Sequence, residues 1–258
     1  MTGAGERANT VARIEAGLAE AWRRQCSWIP GGQSAYVDGL LVCRSLLPDP
    51  TMSTAVVRRE PDDHAVAVDS AASLFSIVGL PLTVDVADGL RPRLEQAMVD
   101  RGMGEVARRP GLAVDLDRVK LAPSPVDVRI APVSSPAELA AVREVQTAAF
   151  GMPPEVMAGL LHDDVLATSG VYQFGAWAEA TLVSCATMHV DDRAAGLFGI
   201  ATHPDHQRRG VGAAITGAAL AGARDLGADL AWLQTTDAGL GVYQSLGLEP
   251  IVDFVVWR

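Results

Sequence analysis

A short polar loop between an apolar strand and an alanine-rich helix holds the residues whose types and spacing best fit a chemical role. Two arginines and two closely spaced glycines lie there. Glycine lacks the Cβ atom that would keep a phosphate away from the backbone, and the first amides of a helix have no intrahelical acceptor. These amides, the helix dipole and the arginines together favour a bound phosphate. We assign phosphate binding to Gln207, Arg208, Arg209, Gly210, Val211, Gly212 and Ala213.

The spacing of these glycines does not support the two best-known nucleotide loops. It matches neither G-x-G-x-x-G, which is typical of dinucleotide binding, nor G-x-x-x-x-G-K-[ST], which is typical of nucleoside triphosphate binding. His203 and His206 flank Asp205 just before the loop, but two histidines beside a phosphate site are more often simply polar. We therefore expect a phosphate ligand of another class and no bound metal.

The charge of the chain is distributed unevenly. The net charge is −10, and residues 126–258 hold 15 acidic but only 7 basic side chains. Two of those seven are Arg208 and Arg209, which indicates a local anion site in acidic surroundings. Nucleic-acid binding needs a broad basic surface, so we expect no nucleic-acid partner. The acidic background favours a cationic partner instead.

The second half of the chain has a clear pattern of elements. The order β-α-α-β-β-β-α-β-α-β predicts an α/β mixed sheet with helices on both faces. Ser135 is predicted as the N-cap of the first helix, with Pro136 at its first position. The six-residue stretch DDRAAG, 191–196, is predicted as a hairpin loop. Strands are expected at 126–131, 172–177, 181–190, 197–202, 231–235 and 251–257, and helices at 135–150, 154–162, 211–226 and 240–246.

The first half of the chain is separated by a proline-containing seam at 121–128. We place domain boundaries there, giving domains 1–122 and 126–258. The first domain shows no catalytic spacing and is expected to cover the sheet, shape a cleft or form a dimer surface, in a monomer or a homodimer. Helices are expected at 6–24, 62–79 and 89–101, and strands at 35–44, 54–58, 81–86 and 112–116.

Hydropathy and cysteine content indicate in which cellular compartment the protein is expected. No apolar run approaches the ~18 residues of a membrane span, and the N-terminus does not resemble a secretory signal. The three cysteines, Cys26, Cys43 and Cys185, are scattered and fit neither a disulfide framework nor a metal cluster. We expect three ordinary thiols in a reducing cytoplasm, with no membrane partner.

Two motifs together resemble a known enzyme family. Thr202-His203-Pro204 followed by Gln207 to Ala213 resembles the acyl-CoA-binding signature of the GNAT family of N-acetyltransferases. Val242 to Leu248 resembles the family's LYxxLGF segment, with Leu248 in place of its phenylalanine. The resemblance covers residues 126–258. Residues 1–120 more weakly resemble the degenerate GNAT-like half of tandem members, so we expect a second, degenerate N-terminal domain.

The resemblance implies a cosubstrate and a mechanism. It implies that acetyl-CoA, or another acyl-CoA, places its diphosphate on the amides of residues 208–213 and its pantetheine beside Ile200, Ala201 and Thr202. It further implies that a backbone N–H of that strand polarises the thioester carbonyl and that an amine attacks directly in a ternary complex. Tyr243 then corresponds to the tyrosine that protonates the leaving thiolate.

The sequence departs from the family pattern at two positions. Where members often carry an asparagine that contacts the pantetheine, this chain has Thr236. The strand before the loop lacks the glutamate that serves many members as general base. His189 on the neighbouring strand is one candidate base, because histidine titrates near neutral pH. Ordered water, or an amine that arrives deprotonated, are the alternatives.

Three functions are compatible with these features. The first is an acyl-CoA-dependent N-acyltransferase that acts on a small-molecule or peptide amine. The second is a non-catalytic acyl-CoA-binding sensor or regulatory module, which the missing base favours. The third is a loop that binds another phosphate ligand. Thiol release from acyl-CoA with an amine panel, and binding of CoA against ATP and NAD, distinguish the three.

Overall fold

The chain forms two compact units. A computed structural model describes residues 3–121, 125 and 127–258. One unit runs to Gly111 and includes Ile251–Arg258, and the other is Leu112–Pro250. These limits differ from the predicted domains 1–122 and 126–258 at two places. The residues that follow Gly111 belong to the second unit, and Ile251–Arg258 belong to the first. The domain limits stay a prediction, and residues 122–124 and 126 of the proposed seam lie outside the described residues.

The helices and strands of the described residues follow one another in mixed order. They are α1 (Ala4–Trp28), β1 (Gln33–Val37), β2 (Leu40–Arg44), β3 (Thr54–Val57), α2 (His64–Ser76), β4 (Val84–Ala87), α3 (Pro92–Val99), β5 (Glu105–Asp115), β6 (Val128–Pro132), α4 (Pro136–Phe150), α5 (Pro154–Leu160), β7 (Val171–Ala178), β8 (Thr181–Asp191), β9 (Ala194–Thr202), α6 (Val211–Asp225), β10 (Leu230–Gln234), α7 (Asp237–Ser245) and β11 (Glu249–Trp257). Short 3₁₀ turns occupy Asp163–Ala167 and Pro204–His206, among others.

The first unit is built on strands in the order β1-β2-β3-β4-β11. The pairs are antiparallel except β3 with β4, which is parallel. Its core comes from one face of α2 and α3 packed on the apolar strands, with Phe75, Leu94 and Met98 fully buried. Burial of such side chains contributes roughly 1.5–3 kcal/mol each.

The predicted single strand at 35–44 is wrong, because the segment is a hairpin. Asp38 and Gly39 both have positive φ, 33° and 86°, between β1 and β2. An Asp-Gly pair in this conformation is the preferred two-residue turn, since its twist matches that of the strands. Gly39 is required for a second reason: a Cβ atom there would lie 2.6 Å from the carbonyl oxygen of Arg59.

The second unit has strands in the order β5-β10-β9-β8-β7-β6, with residues from Leu112 onward supplying β5. Strands β9 and β10 are parallel, and β6, β7, β8 and β9 pair antiparallel. Helix α6 packs on one face, where Val211 and Ile215 contact Val183 and Ala186. Val183 is the extra residue of a β-bulge against β7. Beyond this bulge strand side chains alternate, so Cys185, Thr187 and His189 project to the face opposite Ala186, against which α4 packs.

Local signals in the second unit are accurate, with one exception. Helix α4 begins as predicted, with Ser135 as N-cap, Pro136 at the first position and a capping box completed by Glu138. The predicted six-residue loop at 191–196 is instead a two-residue turn. Asp192 and Arg193 have φ of 39° and 63°, so the strands extend further on both sides.

Candidate active site

The two central strands of the second unit separate at their carboxyl ends. The parallel register joins Leu230–Trp232 of β10 to residues 194–196 of β9. Beyond Gly196, β9 continues to Thr202 while β10 ends at Gln234. Beyond the last β9–β10 pair, the backbone N–H and C=O groups of β9 therefore lie beside an opening between these two strands.

A bulge in β9 marks the start of this opening. Cys185 pairs with Ala201 and Thr187 with Phe198, so β9 carries one residue more than β8 over this stretch. Gly199 has φ of +54°, the left-handed conformation of a glycine bulge. Its carbonyl oxygen accepts a hydrogen bond from Gln146 Nε2 of α4 at 3.0 Å. A Cβ atom on Gly199 would lie 2.6 Å from that nitrogen, so both residues are needed for this contact.

The loop after β9 is held by its own side chains. Gln207 Nε2 donates to the carbonyl oxygen of Thr202 at 3.1 Å, and Thr202 Oγ1 lies 2.9 Å from Ser184 Oγ. Arg208 has φ of +60° and Gly210 has φ of +80°, on either side of Arg209. A left-handed residue followed by right-handed helical residues, as in Gly210 and Val211, turns successive amides toward one point, the geometry of an anion-binding nest.

The amides of residues 208–213 have free hydrogen-bonding capacity. Within the described part of the chain none of them donates to another group, and the first helical bond is Ala214 N–H to Gly210 C=O at 3.0 Å. Arg208 and Arg209 are exposed, and among the described residues no acid pairs with either guanidinium. Six amides, a helix N-terminus and two free cations at one loop fit a diphosphate.

A cleft of about 680 Å³ connects this loop with α7. It brings together Ile200 of β9, the loop and Tyr243. Eight of the sequence-predicted site residues line it: Ile200, Thr202, Gln207, Arg208, Gly210, Gly212, Ala213 and Tyr243. Three further lining residues, Ala238, Gly239 and Val242, were missed. Their spacing from Tyr243 on one helix was the signal that could have found them.

Tyr243 lines the cleft from α7. The ring packs against the core under α7, and burial raises the pKa of Tyr243 to about 12. The phenol therefore stays protonated over the whole physiological range. No hydrogen bond of its hydroxyl occurs among the described residues. Gly239, one turn earlier, makes room for the ring, because a Cβ atom there would lie 3.1 Å from Tyr243 Cε2.

Four predicted binding residues do not line the cleft. Ala201 and Val211 are buried, and Val211 packs against Ile215, so only their backbones are available. Arg209 is exposed beside the cleft. Thr236 is the exposed N-cap of α7 and makes no side-chain cap bond, while its carbonyl accepts from Thr235 Oγ1 at 3.0 Å.

His189 also lies away from the cleft. Its side chain is only 7% exposed, on the face of the sheet opposite α6. The imidazole contacts the ring of Phe198 edge-on at 5.0 Å, and Phe198 contacts Trp232 at 5.4 Å. This packing explains the position of His189 without a catalytic role, and its assignment as base stays a prediction.

The face that carries His189 also holds buried N–H donors. Gln173 Nε2, Trp232 Nε1 and Gln234 Nε2 are buried and make no hydrogen bond within the described residues. Thr187 Oγ1 donates to Gln173 Oε1 at 2.8 Å, which fixes that amide. Buried polar groups are normally satisfied, so unsatisfied ones point to water or a ligand.

Two further kinds of feature are absent from the described residues. No group of three or more His, Cys, Asp or Glu side chains is arranged to hold a metal ion there. None of the described helices is long and apolar enough to cross a membrane.

Comparison with known proteins gives a consistent result. Residues 139–248 match the acetyltransferase (GNAT) family. The fold is similar to that of a GCN5-related N-acetyltransferase from Kribbella flavida, with 22% identity, a TM-score of 0.76, and 95% of this chain and 94% of that chain covered. No curated protein matches the chain in sequence.

Two further structures share the fold over most of the chain. One is a tandem GNAT protein from the clavulanic acid biosynthesis pathway, with 16% identity, a TM-score of 0.67, and 99% and 95% of the two chains covered. The other is a GCN5-related N-acetyltransferase from Sphaerobacter thermophilus, with 12% identity, a TM-score of 0.61, and 85% and 80% covered. The predicted α/β fold, a GNAT-like mixed sheet flanked by helices with a second GNAT-like part, is confirmed.

Proposed function

Residues 139–248 match the acetyltransferase (GNAT) family, and from this premise we propose that the protein transfers an acyl group, most simply acetyl, from acyl-CoA to a primary amine. One observation carries the proposal: the free amides of residues 208–213 and the protonated Tyr243 meet at the same cleft. The amides suit a diphosphate and the phenol suits a departing thiolate. A cleft with both suits a thioester of CoA better than a nucleotide.

Each part of the cleft has a task in this reaction. Bound acyl-CoA supplies an activated acyl thioester. The loop amides and Arg208 bind its diphosphate, and Ile200 and Thr202 line the path beside β9. A backbone N–H of β9 in the opening polarises the acyl carbonyl. Tyr243 holds a proton at Oη for the departing sulfur.

The base of the reaction is the least defined part. Among the described residues that line the cleft there is no Asp, Glu or His. We propose that the amine binds in its neutral form and that water accepts the proton that the amine loses after attack. The same observation supports the second candidate, a sensor that binds acyl-CoA without transfer.

The acceptor is assigned to the face of the sheet opposite α6. There the N–H groups of Trp232 and Gln234 are buried without partners among the described residues. Two such donors suit an acceptor that carries hydroxyl or carboxylate oxygens beside its amine. The net negative charge of the domain attracts the acceptor while the acceptor is still a cation, before it binds.

The proposal is tested by thiol release from acetyl-CoA in the presence of amines. The panel pairs each simple alkylamine with an amino alcohol and an amino acid derivative of the same length. We expect release that depends on amine, fastest with oxygen-bearing acceptors. Binding of CoA without release for any amine supports the sensor instead. Failure to bind CoA, with binding of ATP or NAD, contradicts both.

Gln146 is expected to position the β9 backbone for this reaction. Gln146→Met removes the amide donor to the Gly199 carbonyl at similar length and leaves it only the weak thiol donor Cys185 Sγ at 3.8 Å, which we expect to cost about 1 kcal/mol of stability. Since the bulge sets where β9 amides point, we expect kcat to fall about tenfold to 100-fold with little change in the Kd of CoA.

A matched control separates this effect from instability. Val142, one turn earlier on α4, is fully buried and has no side-chain donor for the Gly199 carbonyl. Val142→Ala leaves a cavity and lowers stability, but should leave kcat unchanged. Equal kcat losses in both variants, tracking their melting temperatures, would show that Gln146 acts through stability alone.

A further inference from the structure

The bulge in β9 places two neighbouring large side chains on opposite faces of the sheet. Thr187 of β8 pairs with Phe198, and Cys185 pairs with Ala201. Directly paired residues of two strands project to the same face, so Phe198 lies on the face opposite α6. Ile200 packs instead against the core under α6. Phe198 and Ile200 therefore stand on opposite sides of the sheet at the opening between β9 and β10.

The proposed reaction brings the acyl group to the side of Phe198. The CoA cleft is lined by Ile200 and Thr202, on the face that α6 covers. The acceptor is assigned to the other face, so the acyl group has to reach through the opening to meet it. There it meets Phe198, the aromatic side chain of β9, which is half-buried.

Two aromatic rings close the opening at the end where β9 and β10 still pair. Gly196 pairs with Trp232 as the last pair of that ladder, and Phe198 follows two residues later. The rings of Phe198 and Trp232 are in edge contact, with centroids 5.4 Å apart. A Cβ atom on Gly196 would lie 2.6 Å from Trp232 Cζ2 and 2.9 Å from Phe198 Cε2. The glycine therefore allows both rings to lie directly against the strand.

The ring of Phe198 is held from both neighbouring strands. Trp232 contacts it from β10, and His189 contacts it from β8 with centroids 5.0 Å apart. Both supporting side chains are buried. Side chains in a close-packed interior do not shift without cost, so Phe198 cannot easily turn aside for a longer acyl chain.

We propose that Phe198, supported by Trp232, restricts the acyl group to acetyl, an inference that rests on the proposed acyltransferase function. The ring forms the wall that the end of the acyl chain faces. Acetyl ends in a single methyl group, and each further methylene brings the chain closer to the ring. In an apolar pocket one methylene changes kcat/KM by about tenfold or more, so a fixed wall can select strongly for the shortest chain.

The dependence on acyl-chain length in Phe198→Ala tests this proposal. Acetyl-, butyryl- and hexanoyl-CoA are compared by calorimetry for Kd and by thiol release for kcat/KM. We expect the wild type to bind hexanoyl-CoA at least about tenfold more weakly than acetyl-CoA, and to prefer acetyl-CoA at least about 100-fold in kcat/KM. Both preferences should fall by about tenfold or more in Phe198→Ala, because the wall is gone.

A second phenylalanine supplies a matched control. Phe174 is also half-buried, but it lies on β7 and packs against the core under α6. Phe174→Ala removes the same ring and leaves a cavity away from the opening, so the chain-length dependence should match that of the wild type. Phe198→Leu is a milder change that keeps an apolar side chain in place, and we expect a shift between those of the wild type and Phe198→Ala.

The wall and the acyltransferase function fail in different ways. Affinity that falls with chain length, without thiol release for any amine, contradicts the acyltransferase but supports the wall. Wild-type affinity and kcat/KM that stay level from acetyl- to hexanoyl-CoA overturn the wall, whether or not the variants fold. A wild-type dependence in Phe198→Ala, or an equal shift in Phe174→Ala, overturns it as well. Failure to bind any acyl-CoA overturns both.

Discussion

Replacing Gly210 with glutamate should weaken CoA binding at least about 100-fold, equivalent to about 2.7 kcal/mol. Gly210 has φ of +80° as the N-cap of α6, with open space where a Cβ atom would stand. The substitution places a carboxylate among the amides that we assign to the diphosphate and strains a left-handed position. The carboxylate also repels the diphosphate and competes with it for the partial positive charge of the helix N-terminus.

The same helix supplies a matched control. Gly227 follows the other end of α6, has φ of +84°, is exposed and is equally open to a Cβ atom. Gly227→Glu therefore carries the same strain and the same charge away from the cleft. Calorimetry with CoA should show wild-type affinity for it. Equal losses of affinity in both variants would remove the loop from the binding site.

Replacing Tyr243 with phenylalanine should lower kcat by about 10²-fold to 10⁴-fold, the usual contribution of a general acid. The ring and its packing remain, and only the proton at Oη is lost. The Kd of CoA should change little, because the diphosphate is bound elsewhere in the cleft. Steady-state kinetics with a reactive amine, together with CoA calorimetry, measures both quantities.

The pH profile and a second tyrosine test the same role. Because burial raises the pKa of Tyr243 to about 12, its proton is present well above neutral pH. No loss of kcat from its ionisation is expected between neutral pH and the start of that titration. Tyr172→Phe removes a hydroxyl from β7, away from the cleft, and should leave kcat unchanged. Unchanged kcat in Tyr243→Phe would exclude the phenol as the acid.

The phosphate loop could be predicted from sequence because its determinants are local. The amides of residues 208–213 are free because Gly210 ends the loop and is the N-cap of a helix. Both conditions depend on only a few neighbouring residues. The same holds for Ser135 and Pro136 at the start of α4. Tyr243 was found by resemblance, and its place in the cleft agrees with the spacing of Gly239 on one helical face.

Long-range features escaped the sequence. The amide of Gln146 meets the bulge at Gly199 across 53 positions, and no periodicity indicates such a pair. Val211 and Thr236 were assigned to binding by position in a motif, whereas the fold turns the first side chain inward and leaves the second at a helix cap.

The most direct measurement of the central claim is a crystal structure of the protein with CoA. The account predicts that the diphosphate lies within hydrogen-bonding distance of the backbone nitrogens of residues 208–213. It also predicts that the thiol end lies in the opening beside β9, near Tyr243 Oη. CoA bound elsewhere, with these amides facing only solvent, would contradict it.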